Sequence, residues 1–221
     1  MEQVADTLQI EGQLFVVDNN STDATARLAQ SAGAQVVFEP VNQIARARNA
    51  GANAADALMY VFVDADSHLS YPLLEAALNC LQSNEVAGGG CHISPDRDVP
   101  RNVANGIAFW NRISSTFKWA AGCFVFCRSD AFHDVGGFSI KRYAGEELVL
   151  SRVLRRWGRK RGMRFEIITD HTMQTSMRKM DWYSTGQLIK QTMLVMIPGA
   201  LGSKRFMGTW YDDSTKRTRD D

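Results

Sequence analysis

The chain has 221 residues, enough for one largish domain or two small ones, and is 45% hydrophobic and 22% charged. That balance excludes a disordered or fibrous chain. A formal net charge of +1 favours neither nucleic acid nor a membrane as partner, and no apolar run approaches the ~20 residues that span a bilayer.

The four cysteines, Cys80, Cys91, Cys123 and Cys127, form no CxxC pair. They read as reduced thiols, and the expected compartment is cytoplasmic. Cys91-His92 is a poor zinc site because adjacent ligands rarely converge.

In chain order, a strand is predicted over Leu14–Val17. A helix follows, capped by Ser21 or Thr22, with Asp23 in its first turn and Gly33 as its stop. Residues 36–38 form the second strand. "NQIARARNAGANAAD" is a small-residue helix carrying Arg46 and Arg48, and Leu58–Val63 is the third strand. The next helix has Ser70 as cap and Pro72 in its first turn. Leu73, Leu74, Ala77, Leu78 and Leu81 make its apolar face. A strand over Val86–Ile93 contains three glycines.

Beyond residue 95, a helix over Val103–Phe117 turns Ile107, Trp110 and Ile113 inward. "WAAGCFVFCRSDAFHDVGGF" reads as a strand, a short helix and a Gly-Gly turn. The helix in "AGEELVLSRVLRRWG" packs through Leu150, Val153, Leu154 and Trp157. Phe165–Thr169 is a strand, and Asp181–Ile197 a last amphipathic helix ended by Pro198-Gly199. Residues 214–221 form a polar tail expected to be disordered. Strands alternating with helices imply an α/β fold with a mostly parallel sheet covered on both faces. Ligands of such sheets bind beyond the carboxyl ends of the strands. Asp18, Asp64 and Asp66 are all predicted on that rim.

"YVFVDADSHLS" is the informative stretch. An apolar strand runs into two aspartates one residue apart, Asp64 and Asp66. Like charges on one face repel and lose solvation unless water or a cation sits beside them. The ordinary reading is a helix cap plus a solvated acid. An EF-hand in "DNNSTDATARLA" fails, lacking Gly at its sixth position and Glu at its twelfth. A haloacid-dehalogenase-type phosphatase would want Thr or Val where His68 stands. A metal clamp for a diphosphate remains, since hard divalent cations take carboxylate and phosphate oxygens together.

"VVDNNSTDAT", "ARARNAG", "YVFVDADSHL", "GCFVFCRSDAFHDVGGF" and "GEELVLSRVL" occur in the order and spacing of family 2 glycosyltransferases with the GT-A fold. The chain resembles that family from Leu14 to Leu154, with a weaker tail through "TSMRK". The resemblance implies one domain over 1–221, with a nucleotide-binding half over about 1–95 and an acceptor-binding half over about 96–200. It implies inverting transfer of a sugar from a nucleoside-diphosphate sugar to an acceptor hydroxyl. The acceptor (saccharide, lipid-linked or small molecule) stays open.

Carried over, Asp18, Arg48, Asn49 and Asp64 match the nucleotide-sugar contacts, and Arg178 could hold a phosphate. Asp66, with Asp64, matches the acid that binds Mg²⁺ or Mn²⁺. Glu147 matches the general base, but this chain has Glu-Glu where the family has Glu-Asp, so Glu146 is the alternative. An inactive or impaired nucleotide-sugar binder and a phosphoryl-transfer enzyme are the competing readings.

In the family another strand precedes the "VVD" strand and lies centrally beside it. Leu14 stands too near the start of this sequence to leave obvious room for it. The expectation is therefore either a shortened form with impaired nucleotide binding and a tendency to associate, or a gap filled by another segment. Seven basic residues between Arg152 and Arg164 read as a solvated face, or as contacts to anionic lipid headgroups or a phosphate-bearing acceptor.

Overall fold

The computed structural model describes residues 11–178; the expected helix over Asp181–Ile197 and the 214–221 tail lie outside that range. Strand β1 is Phe15–Asp18, helix α1 Thr25–Ser31, β2 Gln35–Phe38, α2 Ile44–Ala54 and β3 Met59–Val63. Then come β4 (Ser67–His68), α3 (Tyr71–Gln82), β5 (Val86–Pro95) and α4 (Arg101–Phe117). The described chain closes with β6 (Phe124–Arg128), α5 (Ser129–Asp134), α6 (Glu146–Arg159) and β7 (Arg164–Thr175).

Helices cover both faces of a five-stranded sheet ordered β3-β6-β5-β7-β4. The period-two alternation of β6 divides the core. Val125 and Cys127 join Ala45, Phe132, Leu150, Leu154 and Trp157 from α2, α5 and α6. Phe124 and Phe126 join Leu73, Ala77 and Leu81 from α3 on the other face. All five apolar positions predicted for α3 are buried, and the Ser70 side chain caps it by accepting from the Leu73 N–H at 3.4 Å. On α4, by contrast, Ile107, Trp110 and Ile113 are only half-buried.

The α/β class holds, but the sheet is mixed rather than mostly parallel. β1/β2 and β5/β7 pair parallel, whereas β3/β6, β5/β6 and β4/β7 pair antiparallel. β6 returns between β3 and β5, a placement that local periodicity does not encode. β5 sits centrally between β6 and β7. At Gly89 a Cβ would collide with the Glu166 carbonyl oxygen and the Phe126 ring, so only glycine fits there.

Two local expectations are corrected. Ala24, and not Ser21 or Thr22, stands at the N-cap of α1, with no side-chain cap; Asp23 precedes the helix instead of lying in its first turn, and its Oδ1 accepts from the Thr25 N–H at 2.9 Å. The Ser21 N–H instead donates to Asp18 Oδ1 at 2.9 Å. β7 runs to Thr175 rather than Thr169, because its second half pairs with His92–Pro95 and with β4.

β1 and β2 form their own two-stranded sheet. The Leu58 carbonyl and Asp64 N–H bond toward β6, so the Met59, Val61 and Val63 backbone groups face the opposite edge. Among the described residues no strand joins β3 to β1.

Candidate active site

Asp18 closes β1, and Asp64 directly follows β3. Both stand at carboxyl ends, as the sequence predicts. Asn19 stitches the loop after β1 to α2. Its Nδ2 donates to the carbonyls of Glu39 (3.1 Å) and Val41 (2.6 Å), and its Oδ1 accepts the Gln43 N–H at 2.9 Å. Gln43 is buried at the entrance of α2 and donates to the carbonyls of Ile140 (2.8 Å) and Arg142 (2.9 Å). Neither residue stands out in the sequence; a lone Gln preceding a small-residue helix is the one available signal.

α2 then delivers Arg48 to the centre. Its Nη2 donates to Asp64 Oδ1 at 2.7 Å and to the Gly122 carbonyl at 2.6 Å, and its Nη1 donates to Glu146 Oε1 at 2.9 Å. The guanidinium also lies 5.2 Å from the Phe138 ring centroid. Burial opposes the charge on Arg48, but Asp64 and Glu146 more than restore it, so the group stays protonated. Asn49 beside it is engaged at both ends of its amide. Nδ2 donates to the Phe138 carbonyl at 2.8 Å and Oδ1 accepts the Phe138 N–H at 2.9 Å.

Gly145, at φ +70°, turns the chain into α6, so Glu146 and Glu147 form its first turn, where the helix dipole favours anions. Glu146 is buried against Arg48; its carboxyl is raised by desolvation, partly offset by that guanidinium. Glu147 reaches solvent in part, yet its carboxyl is enclosed by protein and pushed up to about 8, first by desolvation and then by Glu146. A Cβ placed on Gly122 would lie 3.6 Å from Arg48 Nη2 and 3.7 Å from Glu147 Oε2. Arg48 and Glu147 thus both lie within ordinary contact distance of the Gly122 position.

Asp66 lies in the turn before β4, with Arg178 Nη2 3.6 Å from its Oδ2; both side chains are about half exposed. The hydroxyl of Ser67 beside it is buried with no hydrogen-bond partner among the described residues. Asp64 and Asp66 offer hard oxygen donors at an open rim. No group of three or more His, Cys, Asp or Glu among the described residues forms a ready metal cage. That donor set fits a Mg²⁺- or Mn²⁺-like ion, which uses one or two carboxylates plus waters and substrate phosphates. Further along β4 and β7, His68, Ser70, Asp170, His171, Thr172 and Gln174 line a cavity of about 490 Å³.

Ligands of α/β sheets bind in the crevice beyond the carboxyl ends of the strands, where Asp18 and Asp64 stand. The particular family is established by sequence: the family described as "Glycosyl transferase family 2" matches residues 4–144, and the chain belongs to it. Uncharacterized glycosyltransferases of Mycobacterium bovis and Mycobacterium tuberculosis are 48% identical over 55 residues, 25% of this chain and 25% of each relative.

Among solved structures, the mannosyltransferase PcManGT from Pyrobaculum calidifontis, in complex with GDP-Man and Mn²⁺, superposes with TM-score 0.57 at 16% identity. The match covers 87% of this chain and 56% of that one. Glucosyl-3-phosphoglycerate synthase from Mycobacterium tuberculosis, in complex with Mn²⁺, UDP-glucose and phosphoglyceric acid, gives 0.56 at 19% identity, over 88% and 72% of the two chains. TarS 1-349 of S. aureus, in complex with UDP-GlcNAc, gives 0.56 at 17% identity, over 83% and 56%. These likenesses show the fold. No helix among the described residues is long and apolar enough to cross a membrane.

Proposed function

We propose that the protein is an inverting glycosyltransferase that moves a sugar from a nucleoside-diphosphate sugar to an acceptor hydroxyl. The observation that carries this reading is the single guanidinium tying Asp64, of the aspartate pair, to Glu146, of the glutamate pair. Transfer with inversion needs a donor site and a proton acceptor fixed relative to one another, on opposite sides of the anomeric carbon; a binding module does not.

Asp18 and Asp64 would contact the nucleoside and ribose or sugar, and Arg178 the phosphates. Glu147 is the base, because Glu146 is already paired with Arg48. Glu147 takes the acceptor hydroxyl proton as the new glycosidic C–O bond forms and the bond to the diphosphate oxygen breaks. General-base help of this kind contributes ~10²–10⁴-fold. Asp66 and Asp64 would hold a divalent ion, which supplies Lewis-acid stabilisation of the leaving diphosphate when bound.

The test is a panel of nucleotide sugars with Mn²⁺, read by release of nucleoside diphosphate; release from none of them sinks the reading. A second reading is favoured by the edge of β3 that no strand covers among the described residues: a binder of the same donors whose turnover is impaired. It predicts calorimetric binding of a donor without release. The basic run of α6 offers contact with a phosphate-bearing acceptor or an anionic lipid surface from a cytoplasmic position.

A further inference from the structure

We infer that Arg48 is a positioning residue, one that fixes the carboxylates of Asp64 and Glu146 relative to each other and does not serve as a ligand for the donor's phosphates. The inference rests on the glycosyltransferase reading for its consequence, but its geometry stands alone. Arginine has five N–H donors in a rigid fork. Here Nη1 meets Glu146, Nη2 meets both Asp64 and the Gly122 carbonyl, and the Phe138 ring lies beside the guanidinium. The side chain is 10% exposed, so little of it is presented to the rim. Its partners come from the end of β3, the approach to β6 and the first turn of α6. No single lysine ammonium, a compact point charge, can replace a fork that bonds carboxylates on two sides.

Removing Arg48 leaves Glu146, 4% exposed, as an uncompensated buried charge, and frees Asp64 from its fixed orientation. Glu147 follows Glu146 in the same helical turn, so the tie also sets where the proposed base stands. Asn49 adds a second link, holding the Phe138 backbone against α2.

Double-mutant cycles test the tie. Unfolding by urea is measured for Arg48→Met, Glu146→Gln and Asp64→Asn, and for the two doubles containing Arg48→Met. A tie predicts a coupling of at least about fivefold in the unfolding constant for each pair, within the range of contacting residues. It also predicts that Glu146→Gln restores stability to an otherwise poorly folding Arg48→Met chain. Couplings near unity in both cycles overturn the inference.

The positioning role is read separately, on Arg48→Lys. Any loss of UDP and GDP affinity with Mn²⁺ should not exceed that of Asp64→Asn, since it can arise only through that carboxylate. kcat on whichever nucleotide sugar the parent turns over should fall about 100-fold, the scale of a small misplacement of reacting groups. A lysine variant with parental kcat, or one that loses more UDP and GDP affinity than Asp64→Asn does, overturns it. A parent that turns over no donor defeats the glycosyltransferase reading instead, and the cycles alone then decide the tie.

Discussion

Arg48 and Glu146 are 98 positions apart in sequence and meet at 2.9 Å, with both side chains almost completely buried. This pair brings the glutamates of α6 to the end of β3. It also splits the roles of two adjacent, chemically identical residues: Glu146 is committed to Arg48, while Glu147 keeps a carboxyl facing the space beside Gly122.

Glu147→Gln should therefore preserve donor affinity and lower turnover by ~10²–10⁴-fold, the loss expected when only a proton acceptor is removed. Glu146→Gln should lose stability more than Glu147→Gln does, since it weakens a buried ion pair from one side. Steady-state kinetics with urea melts of both variants check this. An inactive Glu146→Gln beside an active Glu147→Gln would place the base one residue earlier.

The pH dependence follows from the Glu147 carboxyl, raised from its ordinary value of 4.5 to about 8. The folded chain holds a proton that the unfolded chain has released. Its contribution to stability is thus fully present below about 4.5 and is lost as pH rises through about 8. Turnover should rise across the same interval as the base ionises. Glu147→Gln should flatten the melting-temperature profile between pH 5 and 9; an unchanged profile would contradict the assignment.

Asp66→Ala should abolish Mn²⁺-dependent strengthening of UDP or GDP binding while leaving the melting temperature nearly unchanged. Its 3.6 Å contact to Arg178 is between half-exposed side chains, and such pairs contribute only about 0–1 kcal/mol. Calorimetry with and without Mn²⁺ measures the first effect, and an undiminished Mn²⁺ response would show that the ion is held elsewhere.

Gly89→Ala should destabilise the fold by about 3 kcal/mol or more, because overpacking a central strand displaces backbone and ring together. Alanine at Gly106, where an added Cβ meets nothing within 4 Å, should be tolerated. Urea denaturation of the two variants makes the comparison internal.

The basic run is largely occupied within the fold. Arg152 lies over Trp119, and Arg155 donates to the Phe117 carbonyl. Arg161 pairs with Asp134 at 3.2 Å, and Arg164 pairs with Glu85 at 2.6 Å. Flotation with anionic liposomes should accordingly be weak at low salt and absent near physiological ionic strength, where the screening length is about 8 Å. Strong flotation that persists at that salt would restore membrane contact as a main role of this face.

By itself the sequence determined most of the local elements. The five apolar positions of α3, the Ser70 cap and the strands ending at Asp18 and Asp64 follow from periodicity and capping, which act within a few residues. Five motifs in order also carried the family resemblance. The tertiary structure alone decided what depends on distant parts of the chain meeting. It placed β6 antiparallel between β3 and β5, extended β7 to Thr175, and made Gln43 and Gly122 part of the site. It also turned Arg48 and Asn49 inward, one to two carboxylates and a carbonyl, the other to the Phe138 backbone. Hydrogen bonds and ion pairs across such separations are fixed by which strands pair and where a helix docks. No periodicity in the sequence encodes that choice, because the two partners share no local geometry until the sheet has formed.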